Sequence, residues 1–221
     1  MSALPKRYFT AEEYLLLEEH SPYKSQYIYG EIFPMGDCVV IKDTAGRPSM
    51  MSGAAPAHVL ISTAISSLLY LQFRGRGCSV FNSDLRVSIE AGDLYTYPDV
   101  VALCGTPQYE PVRSPTCLLN PQLIVEVLSP STEAYDRGDK FLYYQRLASL
   151  TDYVLVAADR MRVEHYTLQD SDWVPSGYSR PADELVFASL EARITLEEIY
   201  DKVDLPARDP AGPNAGRRRS R

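Results

Sequence analysis

What the chain lacks narrows its reading first. Only four of its 221 residues are cysteine, and no two of Cys38, Cys78, Cys104 and Cys117 form a C-x-x-C pair. Its three histidines, His20, His58 and His165, are scattered as well. A structural zinc site needs clustered thiolate and imidazole ligands, so none is expected. The cysteines are expected to be reduced thiols of a cytoplasmic protein, not a disulfide scaffold. No apolar run reaches the roughly 20 residues that cross a bilayer. The longest, from Val59 to Leu71, is interrupted by Ser62, Thr63, Ser66 and Ser67. The opening residues, Met1-Ser2-Ala3-Leu4-Pro5-Lys6-Arg7, lack the apolar core of a secretory signal. No membrane partner is expected. Neither G-x-x-x-x-G-K-[ST] nor G-x-G-x-x-G occurs, which removes the common phosphate-cradling loops.

What is present is an ordinary globular balance, 45% hydrophobic and 23% charged. The length suits one ample domain, read as residues 1–205, followed by a flexible basic tail at 206–221. Net charge is −7. The tail holds five arginines (Arg208, Arg217, Arg218, Arg219, Arg221) against one acid, Asp209. The body is therefore more acidic than the total, and an acidic body binds nucleic acid poorly without local help. Any such function must rest on a local patch or on metal ions.

Local signals place the elements. Thr10 and Glu13 form a capping box ahead of Tyr14-Leu15-Leu16-Leu17, which predicts a first helix. Residues 25–34 read as a hairpin turning near Gly30, and the polar residues 36–55 as a long loop or a small excursion. Pro56 to about Arg74 predicts a helix, with proline in its first turn and Leu60, Ala64, Leu68 and Leu71 at helical spacing. Val80, Leu85–Ile89, Tyr97–Leu103 and Leu123–Leu128 read as strands. A helix is expected over 136–148, a buried strand over 153–156, a hairpin through Gln169-Asp170-Ser171-Asp172, and a last helix capped by Thr195 and Glu198. The order implies a mixed α/β layout with helices against a central sheet.

The chemistry centres on Glu126. It sits among five apolar residues in Leu123-Ile-Val-Glu-Val-Leu128, on a strand that should be central. A carboxylate buried there must meet a cation, a hydrogen-bond network or a metal; an arginine such as Arg86 or Arg146 could satisfy it structurally. Asp99, after Tyr97-Pro98, opens a second buried-strand pattern 27 residues earlier. Acids on neighbouring strands repel unless a cation lies between them, and hard divalent cations prefer oxygen. On that ground Asp99→Asn is expected to stabilise the metal-free chain. Lys140 lies near the start of the following helix, beside Tyr144. It reads either as a surface partner of Asp136 or as a catalytic cation. Two acids and a lysine at one sheet end meet the needs of metal-assisted phosphodiester hydrolysis.

Three stretches, Tyr97-Pro98-Asp99, Ile124-Val-Glu126-Val-Leu-Ser129-Pro-Ser-Thr132 and Tyr135-Asp-Arg-Gly-Asp-Lys140-Phe-x-x-Tyr144, resemble the Uma family of restriction-endonuclease-like proteins. That family is placed in the PD-(D/E)XK nuclease superfamily. Tyr29-Gly30-Glu31-Ile32, Ala57-His58 and Asp152-Tyr153-Val154-Leu155-Val156 extend the similarity across most of residues 8–203. The resemblance implies a restriction-endonuclease-like core: a central mixed sheet flanked by helices, with an N-terminal helix-hairpin and a C-terminal hairpin-helix extension. It implies Asp99 and Glu126 as ligands of Mg²⁺ or Mn²⁺, and Lys140 in place of the superfamily lysine, since Leu128 stands two residues after Glu126. Glu31, His58 and Asp84 are secondary candidates. His58 would serve as a hydrogen-bond donor, and Asp84 as an extra metal oxygen. DNA is the expected substrate, with a homodimer as the expected assembly; a nuclease-fold protein that binds or assembles without turnover is the alternative.

Overall fold

A computed structural model describes residues 8–35, 39–42, 48–51, 55–111, 117–130 and 132–206. The predicted tail, apart from its first residue, and Cys38 lie outside them.

The chain opens with α1 (Ala11–His20), whose Thr10/Glu13 capping box forms as expected. β1 (Ser25–Ile28) and β2 (Glu31–Pro34) pair antiparallel through Tyr29-Gly30. Both turn residues have positive φ, 45° and 91°, the geometry that suits a two-residue hairpin. The stretch read as a loop or small excursion holds a second hairpin, β3 (Val39–Lys42) and β4 (Pro48–Met51). Next come α2 (Pro56–Phe73), with proline in its first turn, β5 (Cys78–Asn82) and β6 (Arg86–Ile89). β8 (Val100–Cys104) falls on the strand expected over Tyr97–Leu103 but starts three residues later, and β7 (Leu94–Thr96) precedes it as a strand the sequence reading did not assign. Pro98 lies between them, and a proline cannot donate to a ladder. Then follow β9 (Cys117–Leu118) and β10 (Leu123–Leu128).

The helix expected over 136–148 is two short helices, α3 (Glu133–Arg137) and α4 (Asp139–Tyr144), meeting at Gly138. A Cβ at that glycine would stand 3.1 Å from the Ala134 carbonyl oxygen, so the close meeting of the two helices leaves little room for a side chain. β11 (Asp152–Ala157) is buried throughout. β12 (Val163–Gln169) and β13 (Asp172–Tyr178) form the expected hairpin. β14 (Glu184–Phe187) and β15 (Ala192–Thr195) form another that the sequence reading did not assign. The single-turn α5 (Leu196–Ile199) carries the Thr195/Glu198 capping box.

The mixed α/β layout is as expected, with its strands divided between two main sheets. One has the order β2-β1-β7-β6-β9, the other β13-β12-β11-β10-β8-β5. In the six-stranded sheet β10 runs parallel to β11 and antiparallel to β8, so the sheet is mixed. α2 packs Ile61, Ile65, Leu69 and Phe73 on one face, against Val100, Ala102, Val125 and Val127. The alternate residues Val101, Leu103, Ile124 and Leu128 face the other way, with Phe141, Tyr144 and Val87. The period-2 alternation of strands thus gives each face its own core.

One expectation fails outright. Cys78 and Cys104 are disulfide-bonded rather than reduced. They are directly opposed in the β5–β8 register, a proximity that their separation of 26 positions conceals in the sequence. Cys117 is a buried thiol outside the disulfide, raised to about 11 by burial and by the nearby charge of Glu110, against the pull of Arg86.

Candidate active site

Sheet register brings the two acids together. Val125 pairs with Val100 in the antiparallel β8–β10 ladder, so Glu126 stands opposite Asp99 at the start of β8. By strand alternation both side chains leave the same face, the one covered by α4. Asp99 lies where the chain passes from the five-stranded sheet into the six-stranded one, within the three residues between β7 and β8.

Asp99 is anchored through both oxygens. Oδ2 accepts the Val127 backbone N–H at 2.7 Å, and Oδ1 lies 3.0 Å from His58 Nε2. His58 sits in the first turn of α2 and reaches the sheet end from the opposite face. Burial disfavours its charge, but the Asp99 carboxylate outweighs that and raises its pKa, with Asp136 adding to the rise. The two anchors also reverse the expectation for Asp99→Asn. An amide offers one acceptor oxygen where the carboxylate serves two neighbours.

Glu126 is 3% exposed. Its Oε1 accepts the Tyr144 hydroxyl at 2.9 Å and lies 2.8 Å from Lys140 Nζ. Oε2 takes no hydrogen bond from a described residue. Burial pushes Glu126 up to about 8 against the pull of Lys140, with the charges of Asp136 and Asp99 adding to the rise. Lys140 is 3% exposed and pairs also with Asp136 Oδ1 at 3.1 Å. Burial works against its charge, yet Glu126 and Asp136 hold it well above the ordinary lysine value. Tyr144 bonds onward to Thr96 at 3.1 Å, and Tyr153 donates to the Asp136 carbonyl.

The ammonium therefore lies inside the cluster, not on the solvated surface that simple helical spacing allowed. The arginines weighed as partners of Glu126 lie elsewhere: Arg86 donates to Tyr97, and Arg146 pairs with Glu90. Asp136 is the acid that sequence reasoning missed. Its i,i+4 relation to Lys140 was visible, but its burial depends on two short helices folding against the sheet end. Tyr144 was placed beside Lys140 correctly, without its bond to Glu126. Glu31 opens β2, half-buried. Asp84 is exposed in the turn after β5, where its carboxylate takes Lys24 at 2.6 Å.

The donor set suits a small hard cation. Among the described residues no three His, Cys, Asp or Glu side chains converge as an all-protein cage. Mg²⁺ rarely uses such a cage; it takes one or two carboxylates and fills its octahedron with water and phosphate oxygens. Asp99 and Glu126 provide those two carboxylates. An ionised carboxylate has about four acceptor sites, so the contacts described leave oxygen lone pairs free on each. Once Glu126 gives up its proton, three buried or half-buried acids against Lys140 and His58 leave negative charge that a divalent cation would offset.

This fold is that of a solved protein described as "a putative nuclease belonging to DUF820" from Anabaena variabilis. The similarity has a TM-score of 0.64 at 17% identity and covers 87% of this chain and 98% of that one. At that identity the likeness shows the fold alone. The family model Uma2, described as "Putative restriction endonuclease", matches residues 41–197, and the chain belongs to that family. Among its relatives are two Synechocystis sp. proteins described as uncharacterized. The protein slr1290 is 35% identical over 86% of this chain and 90% of its own length. The protein sll1609 is 34% identical over 75% and 84%.

Proposed function

We propose that the chain is a Mg²⁺- or Mn²⁺-dependent endonuclease that hydrolyses DNA phosphodiester bonds, with Asp99 and Glu126 as the metal-binding acids and Lys140 as the fixed cation. The observation that carries this reading is the meeting of Asp99, Glu126 and Lys140 at one sheet end, with His58 and Asp136 completing the cluster. When bound, the cation would neutralise phosphate charge and lower the pKa of a water to make it nucleophilic. Lys140, held charged by two carboxylates, fixes Glu126 Oε1 and supplies positive potential beside the position where phosphoryl charge grows. Tyr144 shares Glu126 Oε1 and fixes its rotamer. His58 and the Val127 N–H hold Asp99 facing Glu126, and the apolar strands around them exclude bulk water. A bound cation would also offset the local negative potential that otherwise repels DNA from an acidic body.

The test is cleavage of supercoiled plasmid in Mg²⁺, Mn²⁺ or EDTA by the wild type and by Asp99→Asn, Glu126→Gln and Lys140→Met. Metal-dependent nicking that each substitution abolishes supports the reading. Nicking that survives all three assigns it to a contaminant. A second reading, a nuclease-fold binding or assembly protein without turnover, draws on the internal pairing of Lys140 between Glu126 and Asp136. DNA binding without nicking in either metal selects it.

A further inference from the structure

α2 is 18 residues long and contains no Asp, Glu, Lys or Arg. At the chain's 23% charged content a surface helix of that length would hold about four. Its inner face, Ile61, Ile65, Leu69 and Phe73, is buried, yet an outer stripe at helical spacing is equally uncharged. In that stripe Val59 and Leu60 are half-exposed, and Tyr70 and Leu71 are 61% and 60% exposed. Thr63 and Ser67 lie between them, so the outer stripe is uncharged rather than wholly apolar, and a helix with so little polar face is normally covered there as well.

The strand beside it repeats the pattern. β5 is an edge of the six-stranded sheet, and Cys-Ser-Val-Phe-Asn has no charge, proline or bulge to block further pairing. The Gly105 N–H donates to the Gly77 carbonyl, so residues 77, 79 and 81 turn their backbone groups toward β8. Cys78 and Val80 therefore present theirs outward. A cleft of about 820 Å³ runs along this edge, lined by Tyr70, Leu71, Val80 and Phe81 among others.

We propose that this face binds a second copy of the chain, β5 pairing antiparallel with β5 about a twofold axis near Val80. Charge favours this occupant. Copies of a chain carrying −7 repel, and a self-complementary contact is tolerable where the patch is neutral. The register about Val80 also sets Asp84, which pairs with Lys24 in its own copy, opposite Arg76 of the other, itself paired with Glu191, and brings Arg74 two positions further along. Arg74 is exposed and makes no ion pair among the described residues, while the Asp84 side chain is 76% exposed. Pairing two such edges removes both unprotected edges, as an isologous twofold contact does. The sheets become one of twelve strands, with the two β10 strands five spacings, about 24 Å, apart.

Sedimentation velocity of the full chain at micromolar concentrations tests this. The expected species is twice the 24.8 kDa of one chain. Tyr70→Glu with Leu71→Lys, both on exposed positions, should give a monomer with unchanged circular dichroism. Arg74→Asp and Asp84→Arg should each raise the dimer dissociation constant several-fold, and the pair together should restore it. A wild-type monomer at the highest soluble concentration overturns the proposal. So does a dimer indifferent to all four substitutions, or a monomer that co-sediments with phosphatidylcholine vesicles through α2, a helix long and apolar enough to cross a bilayer by length and composition.

Discussion

Replacing Glu126 by glutamine should change how stability responds to pH, and the sign follows from its environment. Burial, with Asp136 and Asp99 nearby, raises its folded pKa to about 8 from an ordinary 4.5. An acid raised on folding holds its proton longer in the native state. Its contribution to stability is fully present below pH 4.5 and is lost as pH rises toward 8. Between pH 5.5 and 8 the loss is about 3 kcal/mol, at roughly 1.4 kcal/mol per unit of pH. Glutamine keeps an acceptor for Lys140 and Tyr144 but cannot ionise. In EDTA, Glu126→Gln should therefore melt near the wild type at pH 5.5 and well above it at pH 8. For a domain of this length the difference at pH 8 should be about 6–12 °C. Thermal melts by circular dichroism at both pH values, read as the difference between the two proteins, cancel groups that titrate in both. Parallel pH profiles would show that burial does not control this carboxyl, and would refute the reasoning.

Three further outcomes are expected. Lys140→Met should destabilise by about 3–5 kcal/mol at pH 8, because it leaves two buried carboxylates without their cation; urea titration measures it, and the loss should shrink at pH 5.5. Asp99→Asn should cost about 1–3 kcal/mol in EDTA, since one of two hydrogen-bonding neighbours loses its acceptor; a more stable variant would mean that repulsion outweighs those bonds. Mg²⁺ or Mn²⁺ should raise the wild-type melting temperature by mass action, more at pH 8 than at pH 6, because binding competes with the proton on Glu126. Calorimetry should register the released proton, and Asp99→Asn should blunt the whole response.

The features legible in the sequence are those fixed by neighbours in the chain. Both capping boxes, the Gly30 turn and the proline start of α2 depend on residues a few positions apart. Glu126 was legible because one carboxylate among five apolar residues announces a buried charge whatever the topology. The opposition of Asp99 to Glu126 required only that two strands be neighbours. The parts that were not legible depend on distant contacts. Nothing local separates β7 and β8 into different sheets except Pro98, and the parallel pairing of the two-residue β9 with β6 has no local signature. The Cys78–Cys104 bond follows from strand register alone. Asp136 looked like a surface acid because an unbroken helix from 136 to 148 would have placed it at an exposed end. The break at Gly138 turns it inward with Lys140.

The passage between the two sheets has a consequence for how this protein can diverge. Tyr97, two residues before Asp99, receives a hydrogen bond from Arg86 Nε at 2.9 Å and donates to Glu18 Oε1 at 3.1 Å. Glu18 in turn accepts the Ser25 backbone N–H, so α1 and β1 both bear on the same hydroxyl. Those two elements precede residue 41, ahead of the stretch that matches the family model. The opening segment is thus tied by hydrogen bonds to the residue two positions before the acid. A substitution at Glu18 or Ser25 would therefore act on the segment leading into Asp99 while every residue of the cluster stays the same.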